Sequence, residues 1–328
     1  MPVWLDTDHK GDPLGHIFSL MHVSVDCKYR LRNTFRCRSL AMHVALSILP
    51  KFAPLRQLRG WMRFCLILNS PDRNPHQNIR VRRSRGTVDL DPGSYVEWNV
   101  LLFRDYEGEE KRLFCQLAES RGRAGLVLDV GANVGMHSLT FGEHFDRVFA
   151  FEPNPVVYER LVRNVETGSD GNITTFNIGL SDRDDILLFY QPTHANQGTG
   201  TFDPSFKVDG AREVCLPVRI GDEILREQGL AARVDAVKID VQGFEPQVLS
   251  GLRQSLQASR PLIWFEVSDS TIARFSDYGG LSSVIPFPFT LFRFHTRLVA
   301  GLVYRTDLVP CGINEPLVNA DYVVVPTD

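Results

Sequence analysis

Residues Val127–Leu139 read VLDVGANVGMHSL, and this stretch decides the fold class. An apolar run leads through Asp129 into a turn with glycines at positions 131 and 135, and the pattern from Met136 onward is typical of a helix. Glycine lets a chain turn tightly and lets its backbone come close to a ligand. The stretch therefore predicts a buried strand, a ligand-binding turn and a helix.

The same strand-then-helix pattern recurs along the chain. Further strands are predicted at 147–153, within 172–182, at 236–240 and at 261–267, and helices at 136–144, from Asn154 onward and at 245–256. Two additional strands are predicted at 186–191 and 213–219, and the tail predicts a closing pair at 289–294 and 321–326. Strands that alternate with helices indicate an open, largely parallel sheet with helices on both faces.

Charge divides the chain into two parts. Residues 1–85 contain 15 Lys/Arg against 5 Asp/Glu, whereas residues 86–328 contain 21 against 34. We therefore predict a basic N-terminal extension over 1–85, partly helical or disordered, followed by an acidic domain over 86–328.

The basic extension carries two segments with alternative interpretations. Residues 41–68 are apolar with interspersed cations, which fits a helix packed on the main domain or peripheral contact with a membrane surface or an acidic partner. The run RVRRSR at 80–85 has the charge that nucleic acid attracts, but no aromatic residues interrupt it. A solvated face is the favoured interpretation, and no nucleic-acid partner is expected.

Several protein classes find no support in the sequence. The six cysteines are scattered without a C-x-x-C pair, and the nine histidines lack metal-ligand spacing, so reduced thiols and no metal site are expected. The longest apolar runs, Leu40–Leu49 and Trp61–Leu68, are shorter than a membrane span. Charged residues interrupt the first apolar positions, so no signal peptide is evident, and a cytoplasmic protein is expected.

The turn itself indicates which cofactor to expect. Glu152 ends the second predicted strand, where an acidic residue suits the two hydroxyls of a ribose. A dinucleotide site needs G-x-G-x-x-G, but here Ala132, Asn133 and Val134 separate the two glycines, so the glycine that admits a pyrophosphate is missing. S-adenosylmethionine has a ribose and no pyrophosphate, so it fits the pattern better than a dinucleotide does.

Five motifs, in this order, resemble the FkbM family of S-adenosylmethionine-dependent methyltransferases: LDVGANVGMHS, FEPNP, NIGLSD, VKIDVQGFEPQVLSGL and LIWFEV. The resemblance covers residues 95–328, and one departure is Gln242, where the family more often has Glu. It implies that 86–328 is a methyltransferase domain. The implied fold is an α/β, Rossmann-like class I methyltransferase fold, with a mostly parallel seven-stranded sheet, helices on both faces and a closing antiparallel strand.

The resemblance also implies roles for individual residues. Asp129, Gly131, Asn133 and Gly135 would line the methionine end of the cofactor, and Glu152 would bind the ribose. Leu180, Ser181 and Asp182 would edge the adenine. Asp240, Glu245 and Glu266 would face the reaction centre, and the loop His194–Phe202 would lie over it.

The expected reaction is O-methylation of a hydroxyl on a sugar, a glycan precursor or a secondary metabolite, with Asp240 slightly ahead of Glu266 as general base. Two alternatives stay open. One is a nicotinamide-dependent oxidoreductase on a Rossmann fold, and the other is a noncatalytic cofactor-binding protein tethered by its basic arm. The sequence does not predict an oligomeric state.

Overall fold

The computed structural model describes residues 42, 46, 48–74, 76–192, 200–230, 233–313 and 315–327. It separates residues 1–41 from a second compact unit, 42–328, and all described residues belong to the second. The expectations for residues 1–41 and for loop residues 193–199 therefore lie outside the described part of the chain.

Thirteen strands and ten α-helices are described. The strands are β1 (Ile79–Arg83), β2 (Gly86–Leu90), β3 (Leu126–Val130), β4 (Arg147–Phe151), β5 (Ile173–Phe176), β6 (Gly179–Ser181), β7 (Asp185–Gln191), β8 (Arg212–Ile220), β9 (Ala236–Ile239), β10 (Leu262–Val267), β11 (Phe289–Val299), β12 (Val303–Cys311) and β13 (Ala320–Pro326). The helices are α1 (Trp61–Leu68), α2 (Tyr95–Phe103), α3 (Gly108–Ser120), α4 (Met136–His144), α5 (Pro155–Gly168), α6 (Gly221–Glu227), α7 (Glu245–Gly251), α8 (Arg253–Ser259), α9 (Asp269–Asp277) and α10 (Leu281–Val284). Short 3₁₀ helices span Leu49–Gln57, Pro71–Arg73 and Pro204–Phe206.

The main sheet has the strand order β12-β11-β13-β10-β9-β3-β4-β5. Strands β10, β9, β3, β4 and β5 run parallel, and β13 lies antiparallel between β10 and β11. These seven strands form the expected class I methyltransferase sheet with its closing antiparallel strand, so the predicted fold is confirmed. The pair predicted in the tail is β11 with β13.

The eighth strand, β12, was not predicted. It pairs with β11 over nine residues, and the hairpin turns at Ala300 and Gly301, which both have positive φ. Most of β12 is half-exposed or exposed, so it lacks the continuous apolar run by which the buried strands were recognised. The sequence signal for it was the turn residue Gly301 between two β-prone runs.

The predicted helix over 245–256 is two helices, α7 and α8, that meet at Leu252. Gly251 ends α7 against the backbone of β6: a Cβ added there would lie 1.8 Å from the Ser181 carbonyl oxygen. The two additional strands, β7 and β8, form a separate three-stranded sheet with β6. Leu180 on β6 and Phe189 on β7 line one pocket together with Asp240, which follows β9.

Residues before the predicted boundary at 85/86 pack on the domain. Strand β1 pairs with β2 across that boundary, and the Trp98 indole donates to Asn69 Oδ1 at 2.8 Å. In the basic run, Arg80 forms two hydrogen bonds with Asp89, and Arg85 lies 2.8 Å from an oxygen of Asp170. The run is therefore partly neutralised inside this unit. Independent folding of residues 86–328 remains a prediction.

Two further findings bear on the expected class of protein. In the described part of the chain, no helix is both long enough and apolar enough to cross a bilayer. The four described cysteines, Cys65, Cys115, Cys215 and Cys311, are free thiols.

Candidate active site

Three neighbouring pockets lie at the carboxyl ends of β3, β4 and β9, and Asp240 and Gln242 line all of them. The apolar pocket contains Glu152, Leu180, Phe202 and Phe244 among its walls. The turn pocket is lined by residues 131–134 together with His137 and Lys238. The acidic pocket is lined by Tyr106, Glu107, Lys238, Glu266 and Asp321. An open α/β sheet binds its ligands at this edge.

The turn after β3 has the backbone geometry for which its glycines were singled out. Gly131 has φ +83°, and a Cβ there would lie 1.9 Å from the carbonyl oxygen of Asp240. The Gly131 and Ala132 amides donate to Phe151 O at 3.0 and 2.9 Å, which ties the turn to the end of β4. Asn133 also has positive φ, and its Oδ1 accepts a hydrogen bond from the Val134 amide.

Gly135 has a different place from Gly131. It precedes α4 with φ +91°, and a Cβ there would lie 2.8 Å from Leu161 Cδ1 on α5. It lines none of the three pockets. In this structure Gly135 therefore allows the two helices to pack closely, whereas Gly131 and Asn133 line the turn pocket.

We expect Gly131→Ala to destabilise the fold more than the same substitution does at a matched glycine, Gly122. Gly122 also has positive φ, but nothing lies within 4 Å of an added Cβ, so Gly122→Ala isolates the backbone cost of about 1–2 kcal/mol. The contact with Asp240 should add about 1–3 kcal/mol in Gly131→Ala. Urea unfolding of both variants measures the difference, and equal losses would mean that the turn yields without cost.

Glu152 is buried, and its carboxylate holds the turn. Oε2 accepts from the Asn133 amide at 3.0 Å, and Oε1 accepts from the Asn154 amide at 2.9 Å. Burial raises the pKa of Glu152 to about 7 despite these two hydrogen bonds. A carboxylate has about four acceptor positions, so two remain for a ligand in the apolar pocket.

Asp129 lies behind the pocket wall. It is fully buried, and its Oδ2 accepts a hydrogen bond from the Ser138 hydroxyl at 2.5 Å. Its Oδ1 is buried without a hydrogen-bond partner among the described residues. Asp129 remains a candidate for the methionine end, because the unpartnered oxygen leaves one acceptor for a cationic group, directly or through water.

Of the three residues expected to edge an adenine, Leu180 lines the apolar pocket, and Ser181 and Asp182 do not. Ser181 is fully buried beneath α7. Asp182 accepts from the Tyr278 hydroxyl at 2.6 Å, so its carboxylate joins the loop after α9 to β6. Phe202 packs against Phe244, with ring centroids 5.4 Å apart, and sequence reasoning had not assigned either residue to the cofactor.

A chain of hydrogen bonds links the polar groups at the centre. The Lys238 ammonium donates to Asp240 Oδ2 at 3.0 Å, and the Gln242 amide donates to Asp240 Oδ1 at 3.1 Å and to Glu266 Oε2 at 2.8 Å. Burial opposes ionisation of Asp240, but Lys238 and Gln242 outweigh it and lower the pKa of Asp240. Asp240 is therefore ionised at neutral pH, and Gln242 holds two carboxyl groups in place.

The acidic pocket contains two residues that sequence reasoning missed. Asp321 on β13 lies directly opposite Glu266 on β10 in the antiparallel register. Glu107 has positive φ, and its Oε2 lies 3.0 Å from His137 Nε2. Burial raises the pKa of Glu107, but the hydrogen bond to His137 and its charge outweigh this and lower that pKa. In the sequence, Asp321 is only an acidic residue at the start of an apolar run. Its position opposite Glu266 depends on the strand order, which the sequence does not show.

Glu245 is the candidate that the structure does not bring to the reaction centre. It is buried at the start of α7, and its oxygens accept from the amides of Val241 and Gly243 at 3.2 and 3.0 Å. Burial raises the pKa of Glu245 to about 7. Its carboxylate is occupied with the loop that carries Gln242, and it lines none of the three pockets.

Glu266 should make stability depend on pH. Burial, followed by the charges of Asp240 and Asp321, raises the pKa of Glu266 to about 9. The folded protein then binds a proton that the unfolded chain releases near pH 4.5, so the contribution of Glu266 to stability falls as pH rises from about 4.5 to about 9. We expect Glu266→Gln to melt higher than the wild type at pH 8, by roughly 2–4 °C for each kcal/mol recovered, and the difference to shrink at pH 5.

Melting curves across this range test the prediction. Glu213→Gln is the matched control, because that glutamate lies half-exposed on β8 beside Lys207 and far from the acidic pocket. A pH-independent difference between Glu266→Gln and the wild type would mean that the Glu266 carboxyl is already ionised at pH 5.

No group of three or more metal-ligating side chains with suitable geometry is found among the described residues.

A family model described as "Methyltransferase FkbM domain" matches residues 129–305, which is more than half of the chain. The chain belongs to the FkbM methyltransferase family. The match begins at Asp129 in β3 and ends at Arg305 in β12, so it includes Glu152, Asp240 and Glu266.

Curated relatives of this FkbM chain match over part of their length. The hexuronic acid methyltransferase AglP of Haloferax volcanii is 32% identical over 161 residues, which cover 49% of this chain and 62% of AglP. The 2-O-methyltransferase NoeI of Sinorhizobium fredii is 25% identical over 162 residues, covering 45% of this chain and 65% of NoeI. The chain thus spans less than two thirds of either relative.

Among solved structures, the methyltransferase FkbM of Methylobacillus flagellatus shares 16% sequence identity with this chain at a TM-score of 0.38. That match covers 69% of this chain and 52% of the other. An S-adenosylmethionine-dependent methyltransferase of Agrobacterium tumefaciens has a TM-score of 0.42 at 9% identity, covering 77% of this chain and 71% of the other.

Proposed function

We propose that this FkbM protein is an S-adenosylmethionine-dependent O-methyltransferase that acts on a hydroxyl group of a sugar, a glycan precursor or a secondary metabolite. The observation that carries the proposal is the meeting of the apolar, turn and acidic pockets at one ionised carboxylate, Asp240. A methyl transfer needs a cofactor compartment and an acceptor compartment that meet at one point.

The residues of the first two pockets fit S-adenosylmethionine. Glu152 keeps two acceptor positions for ribose hydroxyls, and Leu180, Phe202 and Phe244 provide apolar walls for an adenine. Gly131 lines both of these pockets with its backbone, and the unpartnered Asp129 Oδ1 behind the turn suits the positive charge at the methionine end. When bound, the cofactor supplies a methyl group activated on a sulfonium.

Asp240 is our candidate for the general base. It is ionised, it borders both compartments, and Lys238 and Gln242 fix the orientation of its carboxylate. In the proposed reaction it accepts the proton of the acceptor hydroxyl as that oxygen attacks. Burial, followed by neighbouring charge, raises the pKa of Glu266 to about 9, so its carboxyl is protonated at neutral pH and positions Gln242.

The acidic pocket favours an uncharged acceptor. Glu107 and Asp240 are both ionised there and outnumber the single ammonium of Lys238, so an anionic group is disfavoured at the same point. The printed name of AglP, a hexuronic acid methyltransferase, supports a sugar as acceptor class, and that of NoeI, a 2-O-methyltransferase, supports oxygen as the methylated atom. A sugar hydroxyl satisfies both considerations when any acidic group of the sugar lies outside the acidic pocket. A reducing compartment such as the cytoplasm suits the free thiols.

Two measurements test the proposal. Calorimetric titrations with S-adenosylmethionine, S-adenosylhomocysteine and NADH compare the cofactors, and we expect binding of the first two only. Transfer of labelled methyl to neutral glycan, acidic glycan and metabolite fractions then identifies the acceptor class. Binding of NADH alone would support an oxidoreductase, and cofactor binding without transfer to any fraction would support a noncatalytic protein.

A further inference from the structure

Exposed apolar side chains are concentrated on one surface of the described unit. Eight of the sixteen large apolar residues that are more than a third exposed belong to residues 48–68 or 298–302. The largest exposed fractions among them are those of Ile67 (62%), Leu302 (58%) and Leu68 (54%). Scattered single apolar residues are ordinary on a protein surface, but a cluster indicates a binding surface.

The two segments form one continuous surface, which we call the apolar face. The Arg59 amide donates to the Leu302 carbonyl oxygen at 2.8 Å, and Leu58 forms an isolated β-bridge with Val303. Trp61 at the start of α1 packs between Phe52 and Phe64, with ring centroids 6.2 and 5.3 Å away. The β11–β12 turn and α1 therefore lie side by side.

Cations accompany the apolar face. Residues 48–71 contain four Lys/Arg and no Asp/Glu, although the whole chain has a formal net charge of -3. Lys51, Arg59 and Arg63 are exposed, and Arg56 lies 3.8 Å from Glu109. Exposed apolar residues with adjacent cations are the pattern by which peripheral proteins bind an anionic bilayer surface.

A groove leads from this face toward the reaction centre. Its walls include Arg56, Met62 and Tyr304 beside the apolar face, and Tyr106 and Glu107 at the other end. Tyr106 and Glu107 also line the acidic pocket. Any surface that binds the apolar face would therefore also lie next to the opening of this groove.

We propose that the apolar face binds the surface of a membrane that contains anionic lipids. The side chains of Phe64, Ile67, Leu68 and Leu302 enter the headgroup region, and Lys51, Arg59 and Arg63 contact lipid phosphates. A bilayer suits this face better than a folded protein does, because exposed apolar side chains from a helix and a hairpin turn lie beside three exposed cations, Lys51, Arg59 and Arg63. Binding does not depend on the proposed reaction.

Sedimentation of the full chain with vesicles tests the proposal. One set of vesicles is pure phosphatidylcholine, and the other contains about one third phosphatidylglycerol. We expect binding to the anionic vesicles, weakened by salt, and little binding to the neutral ones. Phe64→Ser/Ile67→Ser and Lys51→Glu/Arg63→Glu should each weaken binding about tenfold or more.

Matched controls separate the apolar face from general surface effects. Ile186→Ser removes a side chain that is 70% exposed elsewhere, and Arg82→Glu reverses an exposed charge on β1; both should bind like the wild type. S-adenosylhomocysteine titration of the same variants separates this proposal from the proposed function, because affinity should stay unchanged.

Three results would overturn the proposal. The first is absence of vesicle binding by the full chain. The second is equal binding by the Phe64→Ser/Ile67→Ser variant and the wild type. The third is a self-association of the wild type that this variant abolishes, which would make the face an interface between copies.

Discussion

We expect Asp240→Asn to lower methyl transfer by about 10²–10⁴-fold while S-adenosylhomocysteine binding stays within a few-fold of the wild type. Asparagine keeps the shape of the side chain, and its oxygen can still accept a hydrogen bond from Lys238. It removes the negative charge and the ability to accept the hydroxyl proton. The loss should therefore appear in turnover and leave cofactor affinity largely intact.

The buried charge of Lys238 complicates this substitution. Lys238 is 3% exposed and loses its ionised partner in Asp240→Asn, so we also expect stability to fall by about 1–3 kcal/mol, less than for a fully buried pair because Asp240 is one third exposed. Lys238→Met/Asp240→Asn should recover part of this stability without recovering turnover.

Asp235→Asn is the matched control. Asp235 precedes β9 as Asp240 follows it, and its Oδ2 accepts from the amides of Gly125 and Leu126 at 2.9 and 3.0 Å. This variant should lose stability and keep turnover per folded molecule. Turnover by Asp240→Asn near the wild-type value would remove the proton-accepting role from Asp240 and return it to Glu266 or to acceptor positioning alone.

The parallel core of the fold was predictable because its signals are local. β3 lies in the apolar run where a buried strand was predicted, α4 has the predicted bounds, and the glycine turn separates them. The helix predicted from Asn154 onward is α5: the Asn154 side chain caps it by accepting from the Val156 amide, and Pro155 follows. The break between α7 and α8 was not predictable, because it depends on contact between Gly251 and a distant strand.

The candidate site was predictable where one motif holds both the residue and its surroundings. Gly131, Asn133, Glu152 and Asp240 line the pockets, and each lies at the end of a parallel strand or in the turn that follows. Glu107 and Asp321 were missed because they enter from a loop and from the antiparallel strand, whose neighbours depend on the topology. Glu245 and Asp182 were singled out by position, but their carboxylates hold neighbouring groups of the fold.

The second large effect is expected at Glu152. If its carboxylate accepts hydrogen bonds from both ribose hydroxyls, and each contributes roughly 1.5–3 kcal/mol, then Glu152→Ala should weaken S-adenosylmethionine by about 10- to 1000-fold. S-adenosylhomocysteine has the same ribose and should weaken in parallel. In this variant the amides of Asn133 and Asn154 would also lose their acceptor. A loss of stability of about 1–3 kcal/mol is therefore expected as well.

Two control variants separate these contributions. Ser138→Ala removes the donor to Asp129 beneath the same turn, so it should destabilise the fold while weakening cofactor binding far less than Glu152→Ala does. Glu159→Ala removes an exposed carboxylate from α5 and should change neither. If Ser138→Ala and Glu152→Ala lose cofactor affinity equally, the conformation of the turn determines binding, and a direct hydrogen bond from Glu152 to the ribose does not.

The most direct test of the cofactor site is calorimetric titration of the wild type and Glu152→Ala with S-adenosylhomocysteine at pH 6, 7 and 8. Burial raises the pKa of Glu152 to about 7, and ribose hydroxyls bind its ionised form, so wild-type affinity should rise through this range. Glu152→Ala should bind 10- to 1000-fold more weakly at pH 8, with little pH dependence. Equal affinity of the two proteins at every pH would contradict the assignment of VLDVGANVGMHSL and Glu152 to an adenosine cofactor.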